Sequence, residues 1–227
     1  MPSANSQSAS GTFNRDAYRG SFLRHVHCLL QRGYESLVPT NFTNAEEDDI
    51  TGEICKRMKQ LTEDEPSEKW MAYYSIHDQD PVNEKFNPTT GKIRLGKRRP
   101  RLDIRLVNKK SIPNPRFCVE AKRLYRSNSV AEYTNDEGLG AFVGGYYAKE
   151  DNAAGMMGYV QKESVAEWLP KLKKKLLEDG SSQVLVGGEV WQKFSFKKGP
   201  LHTYRSVHKR LNSASQLEVF HTFLTFS

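Results

Sequence analysis

No apolar run in the 227 residues approaches the roughly 20 needed to cross a bilayer as a helix, so no membrane span is expected. The three cysteines, Cys28, Cys55 and Cys118, stand far apart with no CxxC, which argues against a zinc ribbon and a vicinal redox pair. Their odd number, with an N-terminal run MPSANSQSASGT that lacks any apolar stretch, gives the expectation of a reducing, cytoplasmic setting. That Ser-rich run, residues 1–12, reads as a flexible tail. There is no P-loop, so no ATPase is indicated, and no internal repeat. His25 and His27 lie two apart on an expected helix and do not face each other, while His202, His208 and His221 lack ligand spacing.

Positive charge is abundant. Net charge is +7 and the pI about 9.2, with clusters at 97–101, 109–110, 122–126, 171–175 and 205–210. Such clusters suit a polyanion, because Lys and Arg neutralise phosphates and release condensed counterions. The ordinary alternative is a solvated basic surface.

The periodicity predicts a helix over 14–31, with Ala17, Phe22, Val26, Leu29 and Leu30 on one stripe and Gly33 as its stop. A second helix over 44–61 carries Ile50, Ile54, Met58 and Leu61 at helical spacing. Thr43 or Asn44 is expected to cap it, and Glu46, Glu47, Asp48 and Asp49 favour the positive end of its dipole. The aromatic run 70–77 reads as a strand, 78–98 as a long loop, and 101–107 and 116–122 as two strands joined by a proline turn. A glycine-weakened helix over 136–149 and a strand over 153–161 follow. Glycines 138, 140, 144, 145, 155 and 158 are read as close-packing positions before any role at DNA. Ser164 and Glu167 have the spacing of a capping box for a further helix, which Pro170 should kink or delay. Strand-like runs at 183–195, 202–208 and 216–226 close the chain.

The segments RPRLDIRLV (99–107) and RFCVEAKRL (116–124) carry the chemistry. Alternation along a strand puts Leu102, Ile104 and Leu106 on one face and Asp103 and Arg105 on the other. On the second strand Phe117, Val119 and Ala121 oppose Cys118, Glu120 and Lys122. Paired as a hairpin, the two strands bring Asp103 towards Glu120 and present charge opposite a buried apolar face. Glu120-Ala121-Lys122 is also the only [DE]-x-K tripeptide in the sequence. A half-exposed hairpin with solvated charges is the plain alternative.

With these residues in this order of elements, the chain resembles the PD-(D/E)xK nuclease superfamily, the restriction-endonuclease-like fold, over about 44–161. The resemblance implies an α/β fold whose α-β-β-β-α-β core has a mixed central sheet flanked by helices. An N-terminal helix and a C-terminal helix plus strands would be added, in a single nuclease domain over 13–227. It implies Mg²⁺, with Mn²⁺ able to substitute, held by Asp103, Glu120 and the main-chain carbonyl of Ala121. Lys122 would orient or help deprotonate a water in DNA phosphodiester hydrolysis. An acid on the first core helix belongs to the same pattern; Glu47 projects closest to the apolar stripe, with Glu46 and Glu53 on its flanks. Pro100 stands three residues before Asp103, where the family proline is usually adjacent. Arg105 and Arg123 flank the expected site, and Lys97, Arg98 and Arg99 precede it; all five are candidate nucleic-acid contacts. The biological role implied is a nuclease effector of a bacterial defence or restriction-type system, with a protein partner for activation or targeting. A homo-oligomer is compatible with it. A catalytically silent nucleic-acid-binding module of the same fold, and a junction or RNA-directed nuclease, are the competing readings.

Overall fold

The computed structural model describes residues 15–64, 66–81, 101–178, 185–186, 191–196, 201–211 and 215–227. The expected tail at 1–12, most of the 78–98 loop, and Lys97, Arg98 and Arg99 lie outside the described residues. Within them are helices α1 (Arg15–Glu35) and α2 (Glu47–Lys59), then strands β1 (Tyr74–Pro81), β2 (Arg101–Asn108) and β3 (Arg116–Leu124). Short helices α3 (Ser129–Thr134) and α4 (Leu139–Val143) lead to β4 (Ala153–Val160). Helix α5 (Val165–Glu178) and strands β5 (Gln192–Phe194), β6 (His202–Lys209) and β7 (Gln216–Thr225) complete the order. The seven strands form one mixed sheet in the order β1-β2-β3-β4-β7-β6-β5. Its centre, β3-β4-β7, is parallel, and the flanking pairs are antiparallel. Among the described residues no helix is long and apolar enough to cross a membrane.

Helices cover both faces of the sheet, so the strands at its centre are apolar on both sides. Ile104, Leu106, Phe117, Val119, Ala121, Met157 and Tyr159 pack with α1 and α2 through Val26, Leu29, Ile50, Ile54 and Met58. Cys118, Leu124, Ala154, Met156 and Val160 pack on the opposite face with Tyr133, Phe142, Trp168 and Leu172 of α3, α4 and α5. The alternation expected for β3 is therefore present, but its charged face is covered instead of open to solvent.

Several boundaries differ from the sequence expectation for local reasons. Helix α1 runs through Gly33 to Glu35; a Cβ there would stand 2.8 Å from Met58, so the glycine marks the close crossing of α1 and α2. Neither Thr43 nor Asn44 caps α2: the N-cap is Glu46, without a side-chain cap, and the Thr43 hydroxyl donates to the Thr40 carbonyl. The aromatic run begins the first strand four residues late. Trp70 stacks on His25 with ring centroids 4.0 Å apart, which ties the start of that run to α1 and leaves Tyr74 as the first paired residue. Of the helix expected over 136–149 only the five-residue α4 forms, because the Asn135–Gly138 turn delays its start, Gly138 adopts non-helical backbone angles, and the chain leaves the helix at Gly144; α3 precedes the expected range. The capping box at Ser164 and Glu167 forms, with the Glu167 carboxylate accepting from the Ser164 amide at 2.7 Å. Helix α5 starts ahead of Pro170 and runs through it. Of the run expected over 183–195, the described residues contribute β5 and an isolated bridge from Leu185 to His208.

A buried polar string fastens α3 to the far strands. The Tyr133 hydroxyl meets His221 Nδ1 at 2.9 Å, His221 Nε2 meets Ser206 Oγ at 2.7 Å, and Ser206 Oγ meets His208 Nε2 at 2.6 Å. Burial holds His208 down at about 4 and His221 well below the ordinary imidazole range, so both are neutral near pH 7.

The glycines of β4 serve packing. A Cβ at Gly158 would stand 2.6 Å from the Phe223 ring and 2.9 Å from Leu124. Gly158→Ala is expected to lower stability by about 1–3 kcal/mol through overpacking, measured by urea denaturation. His27 supplies a pH prediction. It is buried against Phe117, Phe196 and Phe220, donates to the Leu23 carbonyl at 2.9 Å, and is held down by burial at about 4 against an ordinary 6.5. The unfolded chain therefore binds a proton that the folded chain refuses. The resulting stability is present above pH 6.5 and is lost as pH falls towards 4, by up to about 3 kcal/mol. Relative to the parent, His27→Phe should gain stability across that window; an unchanged difference between the two proteins from pH 7 to 4 would contradict it.

Candidate active site

The β2–β3 ladder runs from Val107–Arg116 to Ile104–Val119 and stops. Continued, it would set Asp103 opposite Glu120 and Leu102 opposite Ala121. Instead the Ala121 N–H donates to Asp103 Oδ2 at 2.7 Å, so a side-chain carboxylate takes the place of the next main-chain acceptor. The alternation of faces along β2 breaks at the same point. Leu102 joins Cys118 in the cluster beneath α3–α5, not Ile104 and Leu106 as strict alternation predicts. The other oxygen, Asp103 Oδ1, accepts from Gln79 Nε2 at 3.2 Å, and the same amide reaches Asp48 Oδ1 at 3.2 Å. Gln79 has φ of 49°, a left-handed conformation that costs a non-glycine residue on the order of 1–3 kcal/mol and that its two side-chain bonds help to hold.

One residue along β3 the charge continues. Lys122 Nζ donates to Glu120 Oε1 at 2.8 Å and to Glu47 Oε1 at 3.0 Å. The second Glu47 oxygen accepts the Arg123 N–H at 3.1 Å, so the first turn of α2 is pinned to β3 by both carboxylate atoms. A buried hydroxyl pair one turn later, Thr51 with Tyr159 at 2.9 Å, fixes the same helix to β4. Burial raises the Asp103 carboxyl to about 6 against the opposing pull of Lys122 and the Ala121 N–H. Glu120 is raised well above the carboxylate range by burial and then by the charge of Asp103. For Lys122 burial acts downward, but Glu120, Glu47 and Asp103 outweigh it and hold the ammonium above its usual range. It is a fixed cation at any physiological pH.

Glu120 and Lys122 open into a cleft of about 490 Å³ at the C-terminal end of β3, whose walls include Glu47, Arg123, Arg126 and Tyr147. Asp103 lies behind it, 5% exposed. The structure thus brings together Asp103, Glu120, Ala121, Lys122 and Glu47, with Arg123 on the rim. It separates Arg105, which pairs with Asp80 at 2.9 Å and borders a different cleft. Of the other helix acids, Glu46 pairs with Arg123, and Glu53 turns to Lys56 and Arg57. Three contributors were not foreseen. Gln79 is placed by a backbone twist that residue type does not announce. Gln161 accepts from Arg123 Nε at 2.8 Å and donates to the Phe42 and Ala45 carbonyls at 2.7 and 2.9 Å, tying the approach to α2 to the rim. Arg126 enters through the turn after β3. Its place in the basic cluster 122–126 was the available signal.

A divalent cation is tested here by the oxygen atoms present. Glu120 Oε2 is buried and has no hydrogen-bond partner among the described residues, while Oε1 is held by Lys122. Two buried carboxylates, Asp103 and Glu120, act on each other electrostatically. Because the Ala121 N–H faces β2, ladder geometry turns its carbonyl to the same side. Among the described residues no group of three or more His, Cys, Asp or Glu side chains is arranged to hold a metal ion. The donor set on offer is therefore two carboxylates with a main-chain oxygen, which suits a hard ion that keeps several waters. Comparisons with family models, curated proteins and solved structures find no match to this chain.

Lys122 is the counter-charge for two carboxylates, so its removal should be costly. Without divalent cations, Lys122→Met is expected to destabilise by about 3–5 kcal/mol. Adding Glu120→Gln to that variant should restore a substantial part of the loss. Urea denaturation of the four proteins in the cycle measures this, and additive effects would show that the pair is not coupled.

Proposed function

We propose that the protein is a metal-dependent nuclease that hydrolyses DNA phosphodiester bonds, with a core of the PD-(D/E)xK, restriction-endonuclease-like type. The observation that carries this reading is the buried Glu120 oxygen that has no hydrogen-bond partner among the described residues, at the point where β2 and β3 part and Asp103 takes the Ala121 N–H. The element order α2, β1, β2, β3, α3/α4, β4 supports it, since the acid, the Glu-x-Lys and the helix glutamate fall on the elements that such a core assigns them. Charge supports it too. In ionised form Asp103, Glu120 and Glu47 exceed Lys122 by two charges, which is the charge of Mg²⁺ or Mn²⁺.

Asp103, Glu120 and the Ala121 carbonyl would hold the ion. When bound, it supplies Lewis acidity at the scissile phosphate. Lys122 faces the cleft as a fixed cation and offsets negative charge growing on the phosphate oxygens. Glu47 orients Lys122 through one oxygen and the β3 backbone through the other. The Gln79 amide fixes the rotamer of Asp103. The wider setting that fits such an enzyme is a cytoplasmic nuclease effector under the control of a protein partner.

A second reading, a nucleic-acid-binding module of the same fold without cleavage, draws on the Lys122 clamp, which offsets Glu47 and Glu120 from within the chain. The two part on one experiment. The purified chain with Mg²⁺ or Mn²⁺ should cleave DNA and stop in EDTA. Asp103→Asn and Glu120→Gln should each lower the rate by at least about 100-fold while keeping the parent fold by circular dichroism. Mn²⁺ should also raise the melting temperature of the parent but not of Glu120→Gln. Salt-sensitive DNA binding with no cleavage under either cation would favour the binding module. Equal activity in parent and variants would remove Asp103 and Glu120 from the chemistry.

A further inference from the structure

Beyond the last residue of the Glu-x-Lys tripeptide the chain places arginine, leucine, tyrosine and arginine, and the three polar members line the same cleft as Glu120 and Lys122. The Tyr125 ring orients both guanidiniums. Arg123 lies 4.2 Å from its centroid and Arg126 5.0 Å. The Ser129 hydroxyl accepts the N–H groups of Tyr125 and Arg126 at 3.2 and 3.3 Å, which fixes the turn that carries them. Arg123 is further held through Nε by the buried Gln161.

Each arginine already grips a carboxylate at the cleft wall: Arg123 grips Glu46, and Arg126 grips Glu132 at 2.6 Å. These partners differ from the buried acids behind them. The Glu46 side chain is 75% exposed and that of Glu132 is 37% exposed. The Arg126–Glu132 pair is exposed on both sides, and such pairs contribute little; the Arg123 side chain is itself only 13% exposed, but Glu46 reaches it from solvent, so a stronger oxyanion ligand can displace either carboxylate. A phosphodiester is such a ligand, since guanidinium takes phosphate through parallel charge-assisted hydrogen bonds. The same exchange answers a problem of charge. Five glutamates line this cleft beside Lys122, Arg123 and Arg126, so acidic groups outnumber basic ones at its walls.

We propose that Arg123 and Arg126, braced on Tyr125, form a clasp for backbone phosphates of a DNA strand entering the cleft, and that Glu46 and Glu132 occupy the clasp as phosphate surrogates until the strand displaces them. The proposal rests on the nuclease reading for the identity of the strand, and it adds where the phosphates flanking the reacting one are held. The surrogates give the cleft a preference for ligands that bring more than one phosphate, because each phosphate must evict a carboxylate already in place.

The test uses the full chain and a fluorescein-labelled DNA oligonucleotide, with binding followed by anisotropy in calcium and in EDTA across a salt series. Arg126 and Glu132 are on the surface, so their substitution leaves the core untouched. Arg126→Gln should weaken binding roughly tenfold and lower the slope of log K against log salt by about one. Glu132→Gln should tighten binding, and that gain should vanish in the Arg126→Gln background, because the surrogate matters only where there is a guanidinium to release. Lys110→Gln makes the same charge change as Arg126→Gln at the β2–β3 turn, where Lys110 sits over the Tyr73 ring 4.4 Å from its centroid; it should leave binding near the parent value. The clasp is overturned if Arg126→Gln and Lys110→Gln behave alike, or if the gain from Glu132→Gln persists without Arg126. Cleavage assays on the same proteins separate the two claims. The expected binding pattern without cleavage sinks the nuclease reading and leaves the clasp; cleavage with a flat binding pattern does the reverse.

Discussion

The ammonium of Lys122 stands between a buried carboxylate on its own strand and a second carboxylate on the first turn of α2, and the arrangement of this end of the molecule follows from that. Glu120 is 5% exposed, a position in which an uncompensated charge costs several kcal/mol. Lys122 makes the position tolerable by reaching back to Glu120 and across to Glu47. Because Glu47 then spends its other oxygen on the Arg123 N–H, the same contact sets the height of α2 against β3. Helix, strand and cleft are positioned by one charge balance.

The second constraint is the parting of β2 from β3. A regular ladder would have carried main-chain hydrogen bonds on through Leu102 and Ala121 and left no room between the strands. Asp103 ends the ladder by offering its own oxygen to Ala121. What would be an unsatisfied N–H at a frayed strand end becomes a buried, bonded one, and the carboxylate is fixed within the sheet instead of on its surface. The left-handed Gln79 on the neighbouring strand completes the arrangement from the other side.

The legible parts of this design were those with a period. Alternation along β3 sorted Phe117, Val119 and Ala121 from Cys118, Glu120 and Lys122, and the packing clusters divide the strand in that way. The helical projection of α2 singled out Glu47 from its acidic neighbours, and Glu47 is the one that meets Lys122. Where a local interaction overrode the period, the pattern misled. Leu102 changes faces because Asp103 turns inward. Trp70 leaves the sheet for a stacking partner on α1. The 136–149 helix shrinks to Leu139–Val143, its start delayed by a turn of asparagine and glycine. Long-range hydrogen bonding was invisible altogether: Gln161 lies just past a strand end with no pattern to mark it, yet it joins three segments of chain.

The string from Tyr133 to His208 has a consequence of its own. Ser206 carries one hydroxyl proton and stands within hydrogen-bond distance of two imidazole nitrogens, Nε2 of His208 and Nε2 of His221. It can donate to one of them and must accept from the other. Both rings are neutral, so one holds its proton on Nε2 and the other on Nδ1. Two imidazoles of the same kind are thereby forced into opposite tautomers. Neither can change without the other, and the serine rotor must turn with them. The buried string can be bonded in two opposed proton arrangements, and its Tyr133 end lies on the helix that carries Glu132.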